Sequence, residues 1–121
     1  MTATDLALEL TRAAAAAAAA KQATDIVAFD VSEQLVITDV FLLVTGANPP
    51  QMNAIQDAIE RRLLDLGAQR LRREGEREGR WILLDYADIV VHIQHTEERA
   101  FYALERLWSD CPTVDLQLPQ R

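Results

Sequence analysis

The sequence predicts a single-domain α/β protein, a mixed five-stranded sheet with helices packed on it. Three observations carry this reading. Apolar residues recur at three- and four-residue spacing over two long stretches, as in helices that bury one side. Shorter stretches rich in Val, Ile, Leu and Phe lie between and after them and read as strands. The resulting order is helix, two strands, helix, three strands, helix, with no internal repeat, in a chain of 121 residues that suffices for one core.

Residues 4 to 21 are expected to be helical, because alanine is the best helix former and Ala13 to Ala20 is an unbroken alanine run. Leu6, Leu10, Ala13, Ala14 and Ala17 give the side expected to be buried. Asp25 to Val31 reads as a strand with Val27, Phe29 and Val31 on one face and Ile26 and Ala28 on the other. Ser32 to Gln34 turn the chain into a second strand, Val36 to Thr45, apolar on both faces and therefore central. Asn48 suits a helix cap and Pro49 a first helical position. Met52, Ile55, Ile59, Leu63 and Leu66 then form a stripe that Gly67 ends. Ala68 to Glu74 is an arginine-rich edge strand, followed by a charged loop to Arg80.

Residues 81 to 95 read as a hairpin. With Tyr86 and Ala87 as a two-residue turn, Asp85 lies opposite Asp88, Leu83 opposite Val90, and Trp81 opposite His92, all on one face. Ile82, Leu84, Ile89, Val91 and Ile93 occupy the other, wholly apolar face, which is the core side. The first face mixes tryptophan, histidine and aliphatic residues with two carboxylates, a composition suited to a protein interface. A final helix starts at Thr96, with Glu97 and Glu98 favouring its positive end. Ala100, Phe101, Leu104, Leu107 and Trp108 fall on a stripe expected to pack on the sheet. Tyr102 falls off that stripe, either as an anchor for a partner or as a ring lying flat on the surface. Pro112 stops the helix, so the domain is expected to span residues 1–110 and residues 111–121 to form a loose tail.

The formal net charge is −7, which disfavours nonspecific nucleic-acid binding by the whole surface and suits a basic partner. Cys111 is the single cysteine, which excludes an internal disulfide. His92 and His95 lack the further ligands that zinc requires, so no metal or cofactor is expected. The alanine run has no basic segment before it, and no stretch approaches a membrane span, so a cytoplasmic protein is expected.

Asp85 and Asp88 facing each other across a turn could bind a divalent metal or exchange protons, and the element order resembles that of nucleotidyltransferases. Those enzymes need a Gly-Ser turn and an Asp-x-Asp strand. Here Gly46 precedes Ala47 and Asp-x-Asp does not occur. No Walker loop or dinucleotide fingerprint is present. Ser32, Ser109 and Cys111 lack the surroundings of nucleophiles. Arg70, Arg72, Arg73, Arg77 and Arg80 are interleaved with Glu74, Glu76 and Glu78, as on a charge-paired edge.

The run Trp81, Leu84, Asp85, Tyr86, Asp88, Val91, His92, Arg99, Phe101, Tyr102, Leu104, Glu105, Leu107 and Trp108 resembles the C-terminal signature of the ribosomal silencing factor (Iojap-related) family. Upstream, Lys21, Asp25, Asp30, Asp39, Thr45, Gly46, Gln51, Gly67, Gly75 and Gly79 extend it. The resemblance implies a nucleotidyltransferase-like fold without the catalytic motif. It also implies binding to the large ribosomal subunit through its ribosomal protein fourteen, near ribosomal RNA, so that small-subunit joining is blocked and translation falls under nutrient limitation. It further implies a homodimer when free. The expected partner surface is Trp81, Leu83, Asp85, Tyr86, Asp88, Val90, His92 and Tyr102. The chain departs from the family pattern at Ala87, where glycine is usual, at Gln94, where an aromatic residue is usual, and at Asn48, Pro49 and Pro50.

Overall fold

The structure is a computed structural model that describes residues 2–118. Its elements are α1 (Asp5–Ala20), β1 (Thr24–Asp30), β2 (Val40–Gly46), α2 (Pro49–Asp65), β3 (Arg72–Glu74), β4 (Trp81–Asp85), β5 (Ile89–His95) and α3 (Thr96–Tyr102). The strands form one mixed sheet in the order β1-β2-β5-β4-β3. β2 and β5 run parallel, and the other neighbours run antiparallel.

Strand alternation divides the sheet into two faces. Val40, Leu42 and Val44 of β2, Ile82 and Leu84 of β4, and Ile89, Val91 and Ile93 of β5 point to the side covered by α1 and α2. There they meet Met52, Ile55, Ile59 and Leu63, and the small side chains of Ala7, Ala14 and Ala18 let α1 approach closely. A second apolar layer on the opposite side contains Phe29, Val31 and Leu43, with Phe41, Leu104 and Trp108 packed against it. α2 starts as expected. The Asn48 side chain accepts from Gln51 N at 2.9 Å, with proline in the first turn. The Gln51 amide nitrogen also donates to the carbonyls of Lys21 and Gln22, joining the end of α1 to the start of α2.

Outside the hairpin, the structure differs from the sequence reading at five places. The buried side of α1 is Ala7, Leu10, Thr11, Ala14, Ala15 and Ala18, while Leu6 is 52% exposed. An alanine run carries no apolar contrast to fix which side faces inward. Thr11 tolerates burial because its hydroxyl donates to Ala7 O at 2.7 Å. The second strand starts at Val40, and residues 31–39 form a loop closed by Val31 N donating to Asp39 O at 2.8 Å. The third strand keeps only Arg72–Glu74 of its expected length. The final helix ends at Tyr102, because Ala103 turns left-handed at φ 45. A short 3-10 turn follows and brings Leu104 and Trp108, but not Phe101 or Leu107, onto the far face. The expected loose tail is instead laid along β1. Asp30 N donates to Pro112 O, Val114 N donates to Ala28 O, and Val114, Leu116 and Leu118 pack on the helix-side core. Residues 119–121 of that tail lie outside the described residues.

The hairpin keeps a two-residue turn but makes it with Ala87 and Asp88 instead of Tyr86 and Ala87, Tyr86 N donating to Ile89 O at 3.0 Å. Asp85 pairs with Val90, Leu83 with His92, and Trp81 with Gln94. The register is displaced by two residues, so every side chain keeps its predicted face. Asp88 N donates to Tyr86 O across Ala87, which sits at φ 67. A left-handed alanine is strained, and glycine is not. Ala87→Gly is therefore expected to raise stability by roughly 0.5–1 kcal/mol, the gain being reduced by the looser unfolded chain. Urea unfolding with an unchanged slope is the check.

Candidate functional site: an aromatic patch on the hairpin

The hairpin face away from α1 and α2 carries Trp81, Leu83 and Asp85 of β4 beside Val90, His92 and Gln94 of β5. Trp81 starts its strand where Gly75 folds the preceding loop back on it. A Cβ built on Gly75 would lie 1.9 Å from the Trp81 carbonyl oxygen, and Gly75 sits at φ +82, so no other residue fits. The Trp81 indole Nε1 donates to His92 Nδ1 at 3.1 Å. Its ring lies 4.8 Å from the ring of Tyr102, which is in turn 5.0 Å from Phe101. Phe41 bridges the inner rings, edge-on to His92 at 5.3 Å and to Trp108 at 5.0 Å. The patch therefore has a floor of buried His92 and half-buried Phe41 and Trp108, and a rim of half-buried Trp81 with exposed Tyr102 and Phe101.

α3 holds the rim in place. Arg99 is buried, and its guanidinium donates to Asp25 O at 2.7 Å, Thr45 Oγ1 at 2.9 Å and Glu105 at 3.1 Å. Arg80, just before β4, pairs with Glu98 at 2.8 Å, which ties the start of α3 to the hairpin.

The expected partner residues separate into three groups. Trp81, Leu83, Asp85 and Tyr102 line the accessible patch. Val90 and His92 lie on the same face but are buried, so they support the patch from beneath. Tyr86 is on the opposite side, 6% exposed in the helix-side core. Burial and the nearby Glu60 carboxylate push its phenol up from the ordinary value. Asp88 is not opposite Asp85. It sits in the turn, and its carbonyl accepts from Asp39 N and Val40 N. Asp85 is engaged locally, accepting from Ala87 N at 2.9 Å and pairing with Arg72 at 3.2 Å. The facing carboxylate pair considered for metal-dependent transfer is thus not formed by this register. No group of three or more His, Cys, Asp or Glu placed to hold a metal ion occurs among the described residues. Phe101 and Leu107 belong to the exposed surface, at 81% and 71%, although helical spacing placed them in the core. The helix break at Ala103 caused that error, and neither Gly nor Pro marked it.

Two buried polar groups on this face have no hydrogen-bond partner among the described residues: His92 Nε2 and both amide atoms of Gln94. Burial holds the His92 imidazole down at about 4, so it is neutral near pH 7, with Nδ1 accepting from Trp81 and the proton on Nε2. A depressed base binds its proton more readily in the unfolded chain than in the folded one. Its stabilising effect is therefore complete above pH 6.5 and is lost as pH falls from 6.5 towards 4. Over that window stability is expected to drop by up to about 3 kcal/mol from this group. Urea midpoints at pH 7 and pH 4.5 for wild type and His92→Phe would show it, because the phenylalanine variant loses this part of the pH dependence.

The sheet order and this aromatic rim define a class: a small mixed α/β protein with an accessible aromatic patch built on a hairpin. Residues 4–121 match the family described as ribosomal silencing factor during starvation. The chain is 42% identical over 103 residues to the ribosomal silencing factor of Bacillus subtilis, covering 85% of this chain and 87% of that one. It is 38% identical over 109 residues to that of Halalkalibacterium halodurans, covering 90% and 93%. A crystal structure of a Chromobacterium violaceum protein superposes with a TM-score of 0.80 at 28% identity, covering 84% of each chain. One from Bacillus halodurans gives 0.77 at 36% identity, covering 88% of this chain and 97% of that one. The chain belongs to the ribosomal silencing factor family.

Proposed function

We propose that this protein binds the large ribosomal subunit through ribosomal protein fourteen of that subunit, close to ribosomal RNA. It thereby blocks joining of the small subunit and represses translation when nutrients are limiting. The observation that supports this reading is the rim of Trp81, Tyr102 and Phe101 on the hairpin face of a chain belonging to the silencing-factor family. Exposed, pre-packed aromatic side chains are the usual anchors of protein interfaces. The acidity of the chain suits a basic, RNA-embedded partner. The work proposed for this surface is association rather than catalysis, and no cofactor is invoked. Among the described residues no helix is long and apolar enough to cross a membrane, and a cytoplasmic location fits a ribosome-directed role. The free protein is proposed to be a homodimer that hides the same rim, since a twofold contact uses one patch on both copies.

Co-sedimentation with purified large subunits, followed by a subunit-joining assay, tests the proposal. The expected result is stoichiometric co-sedimentation and a fall in joined ribosomes as the protein is titrated. Normal joining at saturating bound protein would overturn it. Sedimentation velocity of the free protein across a dilution series would report the dimer and its loss.

A further inference from the structure

The loop between β1 and β2 exposes two adjacent β-branched aliphatic side chains, Val36 at 101% and Ile37 at 80%. The loop is held at several points. The Asp30 carboxylate accepts from Ser32 N and from Ser32 Oγ at 3.0 and 2.6 Å, and from Ala3 N at 2.9 Å. These donors keep the Asp30 carboxyl below its ordinary value despite the opposing effect of burial. Leu35 N and Gln34 N donate to Val31 O, and Val31 itself is fully buried. At the far end, Asp39 N donates to Asp88 O in the hairpin turn, and the Asp39 carboxylate accepts from Thr4 N at 2.9 Å. Leu35 packs into the same apolar layer as Phe41 and Trp108, the floor of the aromatic patch. The loop is thus pre-organised, continuous with the patch through Leu35 and the Asp88 turn, and its most prominent side chains are apolar.

We infer that Val36 and Ile37 form a second anchor that inserts into an apolar recess, rimmed by Lys or Arg, on the protein partner met by the hairpin patch. This inference rests on the function proposed above. Charge selects the occupant. Glu33 and Asp39 flank the tip along the chain, Glu33 exposed and Asp39 bonded through its backbone to the turn at Asp88, in a chain of net charge −7. A second copy of the chain would bring like charge against like, whereas a basic protein brings the opposite sign. A nucleic acid fits poorly, because its phosphates meet the same carboxylates and the tip offers neither an aromatic ring for stacking nor a cation. Fixing the loop before binding removes an ordering cost that a mobile loop would carry.

The test compares V36S/I37T with Trp81→Ala and wild type for co-sedimentation with purified large ribosomal subunits. Thermal unfolding and sedimentation velocity of each free protein are measured in parallel. Because both side chains are exposed, the double variant is expected to unfold at the wild-type temperature and to bind large subunits about tenfold more weakly. Binding should fall likewise to isolated ribosomal protein fourteen. Unchanged binding by V36S/I37T beside a loss for Trp81→Ala would overturn the second anchor and leave the hairpin reading standing. Failure of wild type to bind would overturn that reading, and the second anchor with it. A change confined to self-association would assign the tip to a second copy, and a loss seen with protein-free ribosomal RNA would assign it to RNA. Either result would overturn the inference.

Discussion

Trp81→Ala is expected to weaken binding to large ribosomal subunits by about thirtyfold or more, corresponding to roughly 2 kcal/mol. The indole is half-buried in the free protein, packs at a tilt against Tyr102 with ring centroids 4.8 Å apart and starts a strand whose entry Gly75 fixes, so it is presented rather than free to move. Removing it deletes the largest ring of the rim and lets Tyr102 and Phe101 drift. The cost to folding should be smaller, about 1–2 kcal/mol, arising mainly because His92 Nδ1 loses its donor in a buried setting. Trp81→Phe separates the two effects: it keeps a ring against Tyr102 but lacks the Nε1 donor. It should therefore retain most of the binding while showing much of the stability loss. Wild-type affinity in Trp81→Ala would show that the patch is not the contact. A variant unfolded at room temperature would show that the residue belongs to the core.

Arg99→Ala is expected to lower stability by about 2–4 kcal/mol, a larger effect on folding than at any other polar position of the site. Arg99 is 9% exposed, and its guanidinium joins three separate segments: Asp25 at the start of β1, Thr45 near the end of β2, and Glu105 after α3. Asp25 is left-handed at φ 49, a strained conformation held partly by this bond to its carbonyl. Truncation leaves that carbonyl and the Thr45 hydroxyl without their donor. It also frees α3, so Tyr102 should lose its place against Trp81 and partner binding should weaken as well. Arg99→Lys keeps the charge but not the planar set of donors and should recover less than half of the loss. Chemical unfolding of the two variants, read beside subunit binding, is the measurement. Full recovery by lysine would mean that charge alone matters there.

Much of the molecule was legible in the chain because its signals are local. The stripe of Met52, Ile55, Ile59 and Leu63, capped by Asn48 and Pro49, specifies α2 almost without tertiary help. The alternation in residues 81–85 and 89–93 assigns each hairpin side chain to its face, and a two-residue change of register leaves that assignment intact. The missed features depend on contacts remote in sequence. Alanines cannot say which side of α1 is inward. Val36 and Ile37 have strand propensity but lie where Asp39 bonds the hairpin turn at Asp88 and holds the chain out of the sheet. Tyr86, expected in the turn and at the partner surface, instead continues the strand alternation and points inward beside Glu60 and Arg70, because the turn falls one residue later. Phe101 and Leu107 sit at core spacing on a helix that stops at Ala103.

The sequence by itself determined the element order, the two faces of the hairpin and membership of the silencing-factor family. Periodicity, capping and motif spacing are properties of neighbouring residues. The tertiary structure alone decided which aromatic side chains become floor and which become rim. That depends on where α3 ends and on how the segment after it crosses the sheet. Trp108 and Leu104 close over Phe41 there, while Phe101 and Tyr102 remain in solvent beside Trp81. Burial of a side chain is settled by what packs against it, and no local pattern carries that information.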